Sequence, residues 1–229
     1  KYKKHAEGTL SYTTSPVHNN EYFLEMAIKL ESMGSDTLAI KDMAGLLTPQ
    51  STKELVSLLT KNISIPIHVH SHATAGLASL NLIAAVEAGA TIIDTCNSSF
   101  SEGASHPTTE SIIAALQSMG YEINIDIAAI DSISEHLREA RKKYWQFESE
   151  FTGVDPRVLS NQVPGGMISN LSNQLKDQDA LNKMDDVLKE IPEVRKDLGY
   201  PPLVTPTSQI VGTQAALNII TGSRYKTVT

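Results

Sequence analysis

Four short apolar runs, each followed by an amphipathic stretch, constrain the fold of this chain more than any other feature. The runs cover residues 8–14, 36–43, 66–72 and 91–98, and the helical patterns follow at 20–33, 49–62, 76–89 and 107–119. Each unit is about 30 residues long, which is the size of one βα step. Strand–helix alternation of this kind predicts a parallel sheet that is covered by helices.

A weak internal repeat and the number of units extend this prediction. The segments LESMGSDTLAIKD and AVEAGATIIDT share a helix, a glycine, a short apolar strand and a terminal aspartate at similar offsets. An eight-stranded (β/α) barrel typically needs ~250 residues, so four units indicate one half of such a barrel. A four-stranded open sheet is the alternative that the sequence leaves open.

The strand signals stop near residue 120. Beyond it, the patterns predict a long helix over 127–151, a turn at 164–167 and helices over 168–178, 180–198 and 206–221. We therefore predict an α/β fold, with the C-terminal half of a (β/α)₈ barrel in residues 1–120 and an all-helical segment in residues 121–229. The abrupt first and last residues favour a fragment of a longer protein.

Charge and composition narrow the classes of function. The 229 residues include 19 Lys plus Arg against 26 Asp plus Glu, a net charge of −7, and this balance argues against nucleic acid as a partner because phosphate binding favours a cationic surface. The single cysteine, Cys96, excludes a disulfide framework. No apolar run approaches the ~20 residues that span a bilayer, and no secretory leader is recognisable. We expect a soluble, cytoplasmic protein.

A lysine stands where the active site of a barrel is expected. Active sites of such barrels lie at the carboxyl ends of the strands, and Lys41 follows the apolar run TLAI. Burial and a nearby metal would lower the pKa of this lysine, and its neutral amine could then form a Schiff base or take up carbon dioxide as a carbamate ligand. The alternative is a lysine that extends its ammonium group into solvent.

Three histidines alternate along the third apolar run. His68, His70 and His72 stand in the segment IHVHSH, and the period of two places them on one face of a strand. Two imidazoles at this spacing near a strand end can reach one metal ion. Three ligands from one strand would splay too far, so we expect His70 and His72 to bind the metal and His68 to pack inside.

Two weaker candidates have simpler structural interpretations. Cys96, near the end of the fourth run, is expected to be a small packed residue. The aromatic side chains at 144–151 are expected to pack in a core because of their helical spacing; they are Tyr144, Trp145, Phe147 and Phe151.

Longer motifs carry a family resemblance. Two of these motifs are IKDMAGLLTP and HVHSHATAG. The others are GTLSYTTSPVH, VPGGMISNLSNQLKDQ, LVTPTSQIVGTQAALN and GSRYKTV. Together they resemble the carboxyltransferase domain of biotin-dependent enzymes. In detail they are more similar to the oxaloacetate decarboxylase alpha type than to pyruvate carboxylase or transcarboxylase. The resemblance runs almost end to end. It implies a (β/α)₈ barrel followed by a helical funnel.

The resemblance also implies a set of site residues. Family members hold a divalent metal, commonly zinc with manganese or cobalt as alternatives, through an aspartate, a carbamylated lysine and two histidines. The lysine corresponds to Lys41 and the histidines to His70 and His72, whereas the aspartate and a substrate-binding arginine have no counterpart in this chain. Thr205 would relay a proton between biotin and an enolate, and Ser208 would contact biotin. From the residues alone, Thr205 is an N-cap of the helix that starts near residue 206.

The implied reaction moves a carboxyl group between oxaloacetate or pyruvate and biotin. Biotin would arrive on a carrier domain, since no Met-Lys-Met signature stands in this chain. The family further implies a homodimer through the barrel and membrane subunits of the parent complex. The alternatives are one component of a two-subunit pyruvate carboxylase, a metal-dependent condensing or lyase barrel of the isopropylmalate-synthase type, and an inactive scaffold that lacks its first metal ligand. Lys41 and Thr205 favour carboxyl transfer.

Overall fold

The computed structural model describes residues 3–148 and 153–229. The strands in these residues are β1 (Glu7–Ser11), β2 (Thr37–Asp42), β3 (Ile67–Ser71) and β4 (Ile92–Ile93). The helices that alternate with them are α1 (Asn20–Ser32), α2 (Pro49–Asn62), α3 (Ala78–Glu87) and α4 (Thr109–Ser118). The helices that follow are α5 (Ile127–Lys142), α6 (Val158–Asn161), α7 (Gly165–Lys176), α8 (Met184–Asp197) and α9 (Thr207–Thr221).

The four strands form one parallel sheet in chain order, β1-β2-β3-β4. Helices connect each strand to the next, and α1, α2 and α3 pack side by side. Leu38, Ile40 and Val69 are almost wholly buried between the sheet and these helices. Parallel strands that are covered in this way read as continuous apolar runs. The predicted α/β fold with a parallel sheet is confirmed, and we call residues 7–118 the sheet region.

A second apolar core lies in residues 158–221, which we call the helical region. Helices α7, α8 and α9 bury Leu171, Val187, Ile191 and Val211 against one another. The predicted helices over 180–198 and 206–221 correspond to α8 and α9. The helix predicted from 168 begins earlier, at Gly165, because the predicted turn at 164–167 is the first turn of α7.

Several contacts join the helical region to the sheet region, and two of them fix its position. Val158 of α6 packs with Ala44 and Ala75, which lie in the loops after β2 and β3. The buried guanidinium of Arg195 in α8 donates to Thr13 Oγ1 at 2.8 Å and to the Thr14 carbonyl at 3.2 Å, just beyond β1. The helical region therefore sits over the carboxyl ends of the strands. The division of the chain at residue 120 stays a prediction.

Two expectations about elements are wrong. The sequence predicts a fourth strand over 91–98, but β4 pairs only with His68 and Val69 of β3, and the chain turns away after Asp94. The long helix predicted over 127–151 ends at Lys142 in α5 and is followed by a short 3₁₀ turn. The helical spacing is thereby broken.

The broken spacing explains why the aromatic residues do not pack in a core. Tyr144, Trp145 and Phe147 are 58%, 73% and 76% exposed, whereas Phe151 lies outside the described residues. A continuous helix would have stacked these rings on one face, but a helix end and a 3₁₀ turn send them in different directions.

Among the described residues, no helix has both the length and the apolar character that a membrane crossing requires.

Candidate active site

Strand register places the predicted lysine and the first predicted histidine side by side. Lys41 of β2 is the register partner of His70 of β3. His72 follows β3 directly, and its backbone N–H donates to the carbonyl of Asp42 at 3.0 Å. All three predicted metal-site residues therefore lie at the carboxyl edge of the sheet. This is the edge where the sites of parallel α/β barrels are found.

A buried aspartate holds the loop next to Lys41. The carboxylate of Asp42 accepts hydrogen bonds from the backbone N–H groups of Leu46 and Leu47 at 2.8 and 2.9 Å, and from the Ser71 hydroxyl at 3.1 Å. Burial raises the pKa of Asp42, while these donors oppose the increase. Asp42 thus ties the end of β2 to the end of β3 and to the loop that follows.

A third histidine, which sequence reasoning missed, joins His70 and His72. One ring nitrogen from each of His70, His72 and His106 lies within 4.8 Å of the other two. The ring centroid of His106 is 4.3 Å from that of His70 and 4.5 Å from that of His72. His106 stands in a loop without strand periodicity, so only its place after a fourth strand, on the same sheet edge, could have indicated it.

Each ring of this triad, which we call the histidine cluster, is anchored through Nδ1. His70 Nδ1 lies 2.6 Å from Asp94 Oδ2, His72 Nδ1 lies 2.6 Å from the Ala104 carbonyl, and His106 Nδ1 lies 2.9 Å from the Ser71 carbonyl. Since these oxygens accept, each Nδ1 carries the proton and each Nε2 is left as a free acceptor. Metal-binding histidines usually have this arrangement. The residues present therefore fit a divalent metal.

The electrostatics favour neutral imidazoles at His72 and His106. Burial, together with the nearby positive charges of His106, His70 and Lys41, lowers the pKa of His72 to about 4. Burial likewise lowers the pKa of His106. A neutral imidazole is the form that binds a metal.

Behind His70, a line of alternating acids and histidines crosses the sheet. His68 Nδ1 lies 2.9 Å from Glu7 Oε2, and His68 Nε2 lies 2.9 Å from Asp94 Oδ1. The two carboxylates, first Asp94 and then Glu7, raise the pKa of His68 to about 9. In return, His68 and then His70 lower the pKa of Asp94. His68 is therefore directed away from the cluster, and Asp94 is held where it can orient His70.

A cavity of about 360 Å³ connects the cluster to the helical region. His72 and Met43 line it from the sheet region, and Thr205 and Ser208 line it from the helical region. The structure thus places His70 and His72 in the cluster, Lys41 next to His70 by strand register, and Thr205 and Ser208 in the cavity wall. Thr205 does not cap α9: the N-cap position is Pro206, and no side-chain capping bond is present there.

The sequence matches two family descriptions that together span most of the chain. A family described as HMGL-like matches residues 4–137, and one described as a conserved carboxylase domain matches residues 158–229. With the parallel sheet and the histidine cluster, these matches define the class: the chain belongs to the carboxyltransferase-domain family of biotin-dependent enzymes.

Individual relatives agree with this class. The chain is 53% identical to a pyruvate carboxylase subunit of Methanocaldococcus jannaschii, over 97% of this chain and 40% of that protein. It is 45% identical to the methylmalonyl-CoA carboxyltransferase 5S subunit of Propionibacterium freudenreichii, over 99% of this chain and 45% of that protein. The carboxyl transferase domain of Rhizobium etli pyruvate carboxylase, solved with pyruvate, superimposes with a TM-score of 0.92 at 31% identity, over 96% of this chain and 38% of that one. The chain thus spans less than half the length of these relatives.

Proposed function

We propose that the full-length protein transfers a carboxyl group between a 2-oxoacid, oxaloacetate or pyruvate, and biotin. The observation that carries this proposal is the cavity that joins His72 to Thr205 and Ser208. A reaction between two substrates requires that both reach one site. One wall of this cavity carries the candidate metal ligand His72, and the other carries the hydroxyl groups of Thr205 and Ser208. The printed names of the relatives, which include a pyruvate carboxylase subunit and a carboxyltransferase subunit, support the same reaction.

Lys41, His70 and His72 would hold a divalent metal, and the lysine would do so as a carbamate. The support is the free Nε2 of each histidine and the register of Lys41 beside His70. Such a metal, zinc in preference to manganese or cobalt, would act as a Lewis acid that polarises the substrate carbonyl. Carbamylation would turn Lys41 from a cation into an anion and so reduce the positive charge beside the histidines.

Thr205 would move the proton that carboxyl transfer requires. When the substrate carboxyl group moves to N1 of biotin, N1 loses its proton and the enolate carbon of the substrate gains one. A hydroxyl can accept the first proton while it donates its own, so no charge accumulates on Thr205. The exposed side chain of Thr205 in the cavity wall supports this role. Ser208, one helical turn later, would contact the biotin ring.

Several partners are proposed on the family resemblance. Biotin would come from a carrier domain, and the chain would dimerise through its barrel in the cytoplasm. The chain would consist of one half of a barrel in residues 1–120 and a helical funnel in residues 121–229. The barrel half would hold the metal, and the funnel would contact biotin. If the protein is a decarboxylase, and therefore a lyase, membrane subunits would join it.

Substitution of Thr205 tests the proposal in the full-length protein. Thr205→Ala is expected to lower biotin-dependent oxaloacetate decarboxylation about 100- to 10,000-fold, the contribution of a positioned proton-transfer group. Thr205→Ser keeps the hydroxyl and should retain most of the activity, while Thr221→Ala, at the far end of α9, should retain all of it. Full biotin-dependent activity in Thr205→Ala would refute the proton relay.

A second candidate function is a metal-dependent condensing or lyase reaction without biotin. The match of residues 4–137 to the HMGL-like family favours it. Such a reaction has no need for Lys41 as a carbamate or for Thr205. Turnover of a 2-oxoacid that is independent of biotin and unchanged in Thr205→Ala and Lys41→Ala would therefore support this candidate over carboxyl transfer.

A further inference from the structure

His106 is the member of the histidine cluster for which the proposed function gives no role. It lies in the loop between β4 and α4, far along the chain from the strand that carries His70 and His72. Its ring is nevertheless nearer to His70 than His72 is, with centroids 4.3 Å apart against 5.2 Å. The loop therefore places a third imidazole where the two predicted ligands converge.

The protons of the three rings are all directed away from one another. Asp94, Ala104 and Ser71 each accept from one Nδ1, at distances of 2.6 to 2.9 Å. Among the described residues, no donor reaches any of the three Nε2 atoms, and Lys41 makes no hydrogen bond to these rings. Three acceptor lone pairs thus meet in one partly buried space. One metal ion in this space could accept all three lone pairs.

The anchors of the cluster come from separate segments of the chain that are bonded to each other. His106 is held by the carbonyl of Ser71, the residue between the other two histidines, so its ring is tied to the end of β3 itself. The loop is also held by the Ala73 N–H, which donates to the Ser105 carbonyl at 2.7 Å. The position of His106 relative to β3 is therefore determined by the backbone on both sides.

We propose that His106 is a third imidazole ligand of the metal, binding through Nε2 beside His70 and His72. This inference rests on the metal site of the proposed function and adds a ligand to it. The three imidazole nitrogens would hold the metal together with the carbamate of Lys41. The third imidazole would also favour a transition metal, which binds nitrogen ligands well. It would disfavour magnesium and calcium, which prefer oxygen ligands.

Cobalt binding to the full-length protein tests this ligand without reference to turnover. The metal is removed with a chelator and Co²⁺ is added back, with the Kd and the visible absorption band of the bound ion as readouts. His106→Ala is expected to raise the Kd for Co²⁺ at least ~100-fold and to shift the band, because loss of a ligand costs more than the 10- to 100-fold of an outer partner. His136→Ala, an exposed histidine of α5, is the matched control and should change neither readout.

His106→Cys guards against loss of binding through misfolding. A thiolate at this position would bind Co²⁺ and introduce a sulfur-to-cobalt charge-transfer band, a positive signal that an unfolded variant cannot give. An unchanged Kd and spectrum in His106→Ala, with no new band in His106→Cys, would overturn the inference. If His70→Ala loses Co²⁺ in that same series, the proposed metal site stands without His106; if His70→Ala binds normally, the proposed metal site fails as well.

Discussion

The sheet region and the helical region hold their functional side chains in different ways. Lys41 and His70 are neighbours because β2 and β3 pair in register, so hydrogen bonds along two strands determine their separation. Thr205 and Ser208 stand at the start of α9, whose position depends on apolar packing against α7 and α8. Metal binding tolerates little displacement of its ligands, and Lys41 and His70 lie on paired strands.

The two regions also differ in whether any of their helices begin with a capping bond. In the sheet region, α1 starts with the side chain of Asn19 bound to the Tyr22 N–H, and α2 starts with a capping box of Thr48 and Ser51, whereas α3 and α4 have no side-chain capping bond. In the helical region, α7, α8 and α9 all lack a side-chain capping bond. Their stability therefore depends more on the core between them. Four substitutions test how far this difference extends.

The largest effect is expected in the core of the sheet region. Leu38→Ala should reduce the free energy of opening of β2 and β3 by about 4 kcal/mol, since Leu38 is fully buried and its truncation leaves a cavity. Amide hydrogen exchange measures this locally. Leu80→Ala in α3, at a leucine that is 57% exposed, is the control and should cost less than about 0.5 kcal/mol. An equal loss of protection in α7–α9 would show that the two regions open as one unit.

A smaller effect is expected at the aspartate that ties β2 to β3. Asp42→Asn replaces one acceptor oxygen by a donor that must face an N–H group or the Ser71 hydroxyl. We expect a loss of about 3 kcal/mol in the free energy of unfolding, measured by urea denaturation, because a buried donor is left unpaired. Asp36→Asn, at an exposed aspartate whose side chain accepts from the Ala6 N–H, should cost less than about 1 kcal/mol. Equal losses in the two variants would mean that the buried carboxylate of Asp42 contributes no more to the free energy of unfolding than the exposed carboxylate of Asp36.

Arg195 tests the connection between the regions. Its guanidinium, which is 5% exposed, donates to Thr13, to Thr14 and to the Pro201 carbonyl. Arg195→Lys keeps the charge but cannot reach all these acceptors, and we expect a loss of about 2 kcal/mol. Exchange should increase at the amides of α8 and of residues 12–14 together. Lys196→Gln, at the exposed neighbour, should leave exchange at both sites unchanged.

The smallest effect concerns the helix starts. Thr48→Ala removes the capping box of α2 and should cost about 1 kcal/mol in the opening free energy of that helix. Thr205→Ala is the matched substitution at the start of α9, where the side chain makes no capping bond, and it should change helix stability by only a few tenths of a kcal/mol. Comparable losses of amide protection in the two variants would show that Thr205 caps α9 after all.

Much of the fold could be predicted because its signals are local. The strand around Ile40 is an apolar run, the strand around Val69 alternates apolar residues with histidines, and α1 to α4 show helical periodicity, so element type and order follow from the chain itself. The errors fall where local signals mislead. The run over 91–98 is apolar only at its start, since Asp94, Asn97 and Ser98 are polar, and β4 ends at Ile93. The residues after Lys142 keep helical spacing but not the helix, which leaves Trp145 exposed.

The candidate site divides in the same way. The sequence by itself determined that Lys41, His70 and His72 stand at strand ends, because chain position and the period of two decide this without reference to other segments. Only the tertiary structure decided that His106 joins them, that Asp94 lies behind His70, and that Thr205 shares a cavity with His72. Those contacts join segments distant along the chain, and their distances depend on strand register and helix packing, which no local pattern encodes.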